Sequence, residues 1–324
     1  MRDIVFRNLG AQRPEVVLGP SAGIDGAVIN VGNKSLICSA DPITGAVNRV
    51  GSVAVNVNAN DVATFGCQPM FLLSCVLIPE KSDKTIVEMI SRQMGKTAKK
   101  LGMAIVGGHS ETTQGLTNPI VIGCAIGITE RGRYVTAAEA KPNDDLILTK
   151  TAGIEGTAIL ATDRTEQLEK VLDQHSLKSA KQFFGQMSIV KEALIAFNTG
   201  GVHAMHDPTE GGIAGAIHEM ADASNVGVNI FKEKLKIKPE TRKICDFYQI
   251  DPLQLIASGS LLIATEPEST KKIVTELRKN AIPAEIIGKF LSSPTKRFIT
   301  SRKSETEPLV RPVTDELWHA LACS

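Results

Sequence analysis

The chain has 324 residues, 43% of them apolar and 22% charged, about twice the roughly 150 residues of a typical domain. That composition is globular and excludes a disordered chain. Lys+Arg total 36 against 35 Asp+Glu, which gives no basic surface for nucleic acid. Aromatics at 4% leave few stacking platforms for bases and require an aliphatic core.

The longest apolar run, 70–78, is about half of the roughly 20 residues that a membrane span needs. Residues 1–10 carry no apolar stretch of leader length. The six cysteines, at 38, 67, 75, 124, 245 and 323, include no C-x-x-C pair and sit mostly in apolar surroundings. They read as free thiols in a reducing compartment. A cytoplasmic protein is expected, with no membrane and no nucleic acid among its partners.

In chain order, 27–31 and 35–40 read as strands around an Asn33-Lys34 turn. Residues 50–65 are apolar at helical spacing, and 71–78 read as a buried strand. Residues 82–101 form an amphipathic helix pattern with Ser82 placed to cap it. Strands follow at 103–106 and 120–128. The pattern breaks at the Lys141-Pro-Asn-Asp-Asp145 turn, so two domains are expected, 1–142 and 143–324. The second half alternates again. Strands are expected at 146–149, 202–205, 227–231, 261–264 and 284–287, and helices at 156–161, 187–197, 211–223, 239–248, 269–279 and 315–321. The tract 292–308 is polar, without a strand pattern. Such alternation predicts an α/β (α+β) fold.

Four segments combine glycine with carboxylate or amide side chains. They are Gly19-Pro-Ser-Ala-Gly-Ile-Asp25-Gly26; Ser39-Ala-Asp41-Pro-Ile-Thr-Gly45 followed by Asn56-Val-Asn58-Ala-Asn-Asp61; Val106-Gly107-Gly108-His-Ser-Glu111; and His206-Asp207-Pro-Thr-Glu210-Gly211-Gly212. Dispersed hard oxygen ligands beside glycine backbone suit magnesium with a phosphate chain. A helix opening at Gly211-Gly212 would offer unpaired N–H groups to an anion. Asx turns and helix capping explain the same residue types without any ligand. Neither a P-loop nor a Rossmann fingerprint is present, and no Gly-x-Ser-x-Gly elbow supports nucleophilic hydrolysis.

The order and spacing of these segments resemble the aminoimidazole ribonucleotide (AIR) synthase superfamily (PurM-like proteins), and within it the hydrogenase-maturation branch, HypE. The likeness lies in Val50 to Ala63, Gly66-Cys-Gln-Pro69, Ala104-Ile-Val-Gly-Gly108, His218-Glu-Met-Ala221 and Ile250-Asp-Pro-Leu253, and it spans 19–288. It implies a two-domain fold whose N-terminal domains pair into a dimeric β-barrel, and an enzyme that uses ATP and Mg²⁺ on a small-molecule substrate. It implies Asp25, Asp41 and Asp61 as metal ligands, with Asn58, Gly107, Gly108, Gly211 and Gly212 on the nucleotide. Asp207 and Glu210 are then the candidate catalytic carboxylates, and a maturation partner protein is possible.

Departures from the HypE pattern are equally specific. Ile154-Glu155-Gly156 stands where the family has Asp-His-Gly, and Ala257-Ser258-Gly259 where it has Asn-Glu-Gly. Gly107-Gly-His-Ser110 replaces Gly-Asp-Thr-Lys, and Glu210 stands where arginine is common. The terminal cysteine tail is replaced by Ala322-Cys323-Ser324, so Cys323 is not expected to carry substrate. The resemblance implies phosphoryl transfer from ATP to an amide or similar oxygen. The alternatives are a small-molecule kinase like thiamine-monophosphate kinase, and a non-catalytic nucleotide-binding maturation factor.

Overall fold

The computed structural model describes residues 2–323. The chain divides into two compact units, one ending at Tyr134 and the other beginning at Val135. The turn at 141–145 thus lies inside the second unit. Ser224 ties the residues ahead of that turn to the second unit: its hydroxyl donates to Ala137 O (3.2 Å) and accepts from Ala140 N (3.0 Å).

In the first unit the strands are β1 (Val16–Leu18), β2 (Ala27–Val31), β3 (Lys34–Ser39), β4 (Pro42–Ile43), β5 (Pro69–Pro79), β6 (Ala104–Thr113) and β7 (Ile120–Glu130). They form one sheet in the order β1-β2-β3-β7-β5-β6, with β4 also on β7. β2 and β3 make the expected hairpin, from Ala27↔Cys38 to Val31↔Lys34. β5 and β6 run parallel, so a crossover must join them, and the helix Lys84–Leu101 supplies it. That helix buries Ile90, Met94 and Ala98 at a four-residue spacing. Its cap is Asp83 and not Ser82: the Asp83 carboxylate accepts from Thr85 N at 2.8 Å. A carboxylate at this position also complements the helix dipole, which a serine does not.

The helix Val50–Thr64 is buried along almost its whole length. It packs on the crossover helix and on β7, and it takes Asn58 and Asp61 into the interior with it. β5 is less buried than its apolar run suggests, since Met70 and Leu73 are 38% and 39% exposed.

The largest difference from expectation is β6. Its parallel register with β5 continues to Pro79↔Thr113, with one shift beside Leu72. Gly107 and Gly108 therefore lie within a strand and not in a turn. Glycine is needed there because a Cβ on Gly108 would stand 1.8 Å from Ser74 O.

The second unit has β8 (Asp145–Thr149), β9 (Val202–His206), β10 (Gly227–Phe231), β11 (Leu262–Thr265), β12 (Ala284–Leu291), β13 (Arg297–Thr300) and β14 (Thr306–Pro308). Their order is β14-β13-β10-β12-β8-β11-β9. The polar tract at 292–308 thus holds two strands, β13 parallel to β10 and β14 antiparallel to β13. β14 is the edge of the sheet and β13 lies between it and β10; strands of three and four residues are too short to display the apolar alternation that marks a strand in sequence. Helices Ile154–Asp163, Val190–Thr199, Gly212–Ala223, Pro239–Tyr248 and Pro267–Lys279 lie near their expected positions. Gln174–Lys181 is an additional one.

The last helix, Glu316–Ala322, buries Leu317 and Ala320. Trp318 on the same helix is 51% exposed. All six cysteines are free, and burial pushes the Cys67 and Cys245 thiols up to about 12. No helix among the described residues is long and apolar enough to cross a membrane.

Candidate active site

Three carboxylates that are far apart in sequence meet in the first unit. Asp25 precedes β2, Asp41 follows β3, and Asp61 lies on the buried helix Val50–Thr64. The Ser39 hydroxyl donates to Asp61 Oδ2 at 2.8 Å, and Asp61 is 3% exposed. Burial holds the Asp41 carboxyl above its ordinary range. The hydrogen bond with Asp61 pulls it down, and the negative charge of Asp25 pushes it up. Carboxylates this close are costly unless a proton or a cation offsets them.

Asn58 fixes this group. Its Oδ1 accepts from Asp41 N (2.9 Å), and its Nδ2 donates to Asp41 O (3.2 Å) and Ala54 O (2.9 Å). Both amide hydrogens are thereby engaged with backbone, so Asn58 clamps the Asp41 segment and has no donor left for a nucleotide. It fits because β7 has Gly123 opposite, where a Cβ would come within 2.4 Å of Asn58 Nδ2. All three carboxylates offer the hard oxygen donors that Mg²⁺ takes, so the residues fit that ion. Gly107 and Gly108 are exposed on β6.

In the second unit, β9 ends in His206, and Asp207 follows it at 1% exposure. His206 Nε2 meets Glu219 Oε2 at 2.9 Å, a contact that holds the Glu219 carboxyl below its ordinary range. Glu210 is exposed, and its Oε1 accepts from the Trp318 indole N–H at 3.3 Å.

The open helix start expected at Gly211-Gly212 is not available. Gly211 N donates to Asp315 Oδ2 (2.7 Å), Gly212 N to Thr209 O (3.0 Å) and Ala214 N to Leu253 O (2.9 Å). The carboxylate of Asp315 already takes the place of an anion there.

Sequence reasoning also missed the weight of Glu155. In the first turn of Ile154–Asp163, it is only 5% exposed. Burial pushes its carboxyl up to about 7; the Ser258 hydroxyl beside it pulls down, and Asp315 pushes up. An acid between apolar neighbours in Ala-Gly-Ile-Glu-Gly-Thr-Ala was the available signal.

Two families match the chain. AIR synthase related protein, N-terminal domain, covers residues 23–129, and AIR synthase related protein, C-terminal domain, covers 141–300. The chain belongs to the AIR synthase related family. A putative hydrogenase expression/formation protein of Methanocaldococcus jannaschii is 29% identical over 297 residues, 89% of this chain and 85% of the relative. Carbamoyl dehydratase HypE of Rhizobium leguminosarum bv. viciae is 28% identical over 273 residues, 82% of this chain and 75% of the relative.

The fold is that of solved HypE structures. The HypE–HypF complex aligns with a TM-score of 0.81 at 22% identity, covering 96% of this chain and 99% of the other. HypE in complex with ATP aligns at 0.75 and 20% identity, covering 97% and 91%. This two-domain AIR synthase-like, mixed α/β fold is the one its sequence motifs imply.

Proposed function

We propose that the protein is an ATP- and Mg²⁺-dependent enzyme that phosphorylates an amide oxygen of its substrate and so opens the way to dehydration. The observation that carries this reading is the convergence of Asp25, Asp41 and Asp61 in a family that includes carbamoyl dehydratases. These three side chains would hold Mg²⁺, which supplies charge neutralisation for a transferring phosphoryl group. Asn58 keeps Asp41 in register with Asp61. Gly107 and Gly108 present the exposed backbone of β6 to the nucleotide. Asp207 and Glu210 serve the substrate side, with Gly211 and Gly212 shaping their loop. The substrate class is a primary amide, as the dehydratase relatives suggest.

The working form is a homodimer in the cytoplasm. β6 is the edge of its sheet, and Ile105 and Val106 are 42% and 54% exposed on it. A second copy of the chain would cover that edge, as sheet edges require. A maturation partner is part of the proposal, by analogy with the HypE–HypF pair.

Calorimetric titration with a non-hydrolysable ATP analogue tests the site. Binding should depend on Mg²⁺ and weaken by about tenfold or more in Asp61→Asn, because an amide is a poorer ligand for a hard dication. Equal affinity with and without Mg²⁺ would remove the metal from the proposal.

A further inference from the structure

The second unit holds a cavity of about 480 Å³ whose lining includes none of the residues assigned above to metal, nucleotide or catalysis. That volume is within the range of small-molecule sites, about 300–1,000 Å³. Leu235 and Ile237, which follow β10, form apolar walls with Leu253, Ile299 of β13 and Leu309 beyond β14. Leu235, Ile237 and Leu253 are only half-buried, so apolar surface stays open to the space.

The walls are pinned from behind. Lys236 O accepts from Thr151 Oγ1 (2.9 Å) and Ala152 N (3.1 Å), and Lys238 N donates to the same hydroxyl at 3.2 Å. Leu309 N donates to Arg297 O (3.1 Å), and Leu309 O lies 3.0 Å from His218 Nε2. On the third side Leu253 O accepts from Ala214 N. The gap is therefore built into the fold, as preformed ligand sites are.

Four charged side chains line it: Lys232, Glu307, Asp251 and Arg242. Lys232 Nζ meets Glu307 Oε1 at 2.8 Å, and Glu233 and Glu305 add negative charge at that end. Asp251 accepts from Leu253 N on Oδ1 (2.9 Å) and from Gln254 Nε2 on Oδ2 (3.2 Å). The guanidinium of Arg242 is uncommitted: among the described residues it makes no ion pair and donates no hydrogen bond. It offers a fork of free N–H donors beside an apolar space. Lys236 and Lys238, exposed on the flanking segment and also without ion pairs among the described residues, make this end of the rim positive.

We propose that this cavity binds a small molecule consisting of one carboxylate on an apolar body. The carboxylate pairs with Arg242 through two parallel hydrogen bonds, and the body lies against Leu235, Ile237 and Leu309. A planar carboxylate matches a single guanidinium fork in shape and in charge, whereas a phosphate monoester brings about two charges to it.

Calorimetric titration of the full chain with octanoate, hexanoate, octyl phosphate and octylammonium tests this. Octanoate should bind at one equivalent with a Kd below about 1 mM. Hexanoate, two methylenes shorter, should bind about tenfold more weakly, and octylammonium more weakly still. Arg242→Gln should cost about tenfold or more in octanoate affinity with an unchanged urea midpoint, because the side chain is exposed and unpaired. Leu235→Glu, which puts a carboxylate on the apolar wall, should cost as much. Lys100→Gln, an exposed charge of the first unit, should leave octanoate affinity unchanged. Octanoate affinity in Arg242→Gln within about twofold of wild type, octylammonium binding as tightly as octanoate, octyl phosphate binding about tenfold tighter, or no octanoate binding up to about 10 mM would overturn the inference. None of these titrations needs ATP or an amide, so they stand apart from the reaction proposed above.

Discussion

Asp315 takes the amide of Gly211 onto Oδ2 at 2.7 Å and the amide of Leu317 onto Oδ1 at 2.8 Å. One buried carboxylate thus caps the last helix and occupies the start of Gly212–Ala223. Burial lifts it to about 6 despite these bonds, and the Glu210 carboxylate adds to the rise. Asp315→Ala should cost about 2–4 kcal/mol, the sum of a lost cap and a buried amide left without an acceptor. Urea denaturation measures this. A loss below about 0.5 kcal/mol would show that the joint carries little.

Stability should fall as pH rises through neutrality. Glu155 moves from 4.5 to about 7 and Asp315 from 3.8 to about 6 on folding. Acids raised in this way bind protons more tightly in the folded state. Their contribution is complete below about pH 4 and is lost as pH rises through about 6–7. His218 works in the other direction: burial and the nearby Arg311 hold it below 6.5, so acid costs stability there. Urea midpoints at pH 5.5 and 8 should differ in wild type and differ less in Glu155→Gln. A Glu155→Gln profile parallel to wild type would contradict this assignment of the titration.

Asn58→Ala should disturb the metal site without touching a ligand. Removing the clamp on Asp41 N and O frees the segment that carries that carboxylate. Supporting contacts of this kind are worth about 10–100-fold in metal affinity. Mg²⁺ titration of ATP-analogue binding reads the loss, and unchanged Mg²⁺ affinity would return Asn58 to a packing role.

Much of this was legible in the sequence. Asp25 stands out beside Gly26, and the resemblance marks Asp41 and Asp61; the pairing of β2 with β3 is legible too, although its turn is Gly32-Asn33, one residue ahead of the expected Asn33-Lys34, because Lys34 already pairs with Val31. What was hidden depends on contacts across long sequence separations. No local pattern shows that Asp315 fills the Gly211 amide, or that Asn58 spends its side chain on Asp41. The run Gly107-Gly108 reads as a turn because glycine usually marks one, whereas here it lets β6 approach Ser74. Residues 297–300 become a strand by pairing with β10, and 306–308 by pairing with 297–300 in turn.

The edge of β6 supplies a test of assembly. Ile105→Lys with Val106→Lys places two charges on an exposed apolar edge, a device that blocks edge pairing. Sedimentation should show a wild-type dimer at micromolar concentration and a monomeric variant. A monomeric wild type would contradict the proposed homodimer.

The central claim is the chemistry, and phosphorus NMR of the complete reaction tests it most directly. The protein, ATP, Mg²⁺ and a primary amide should yield ADP and free phosphate in equal amounts, dependent on the amide and lost in Asp61→Asn. Accumulation of a stable phosphorylated organic product without free phosphate would contradict amide activation and make the protein a small-molecule kinase.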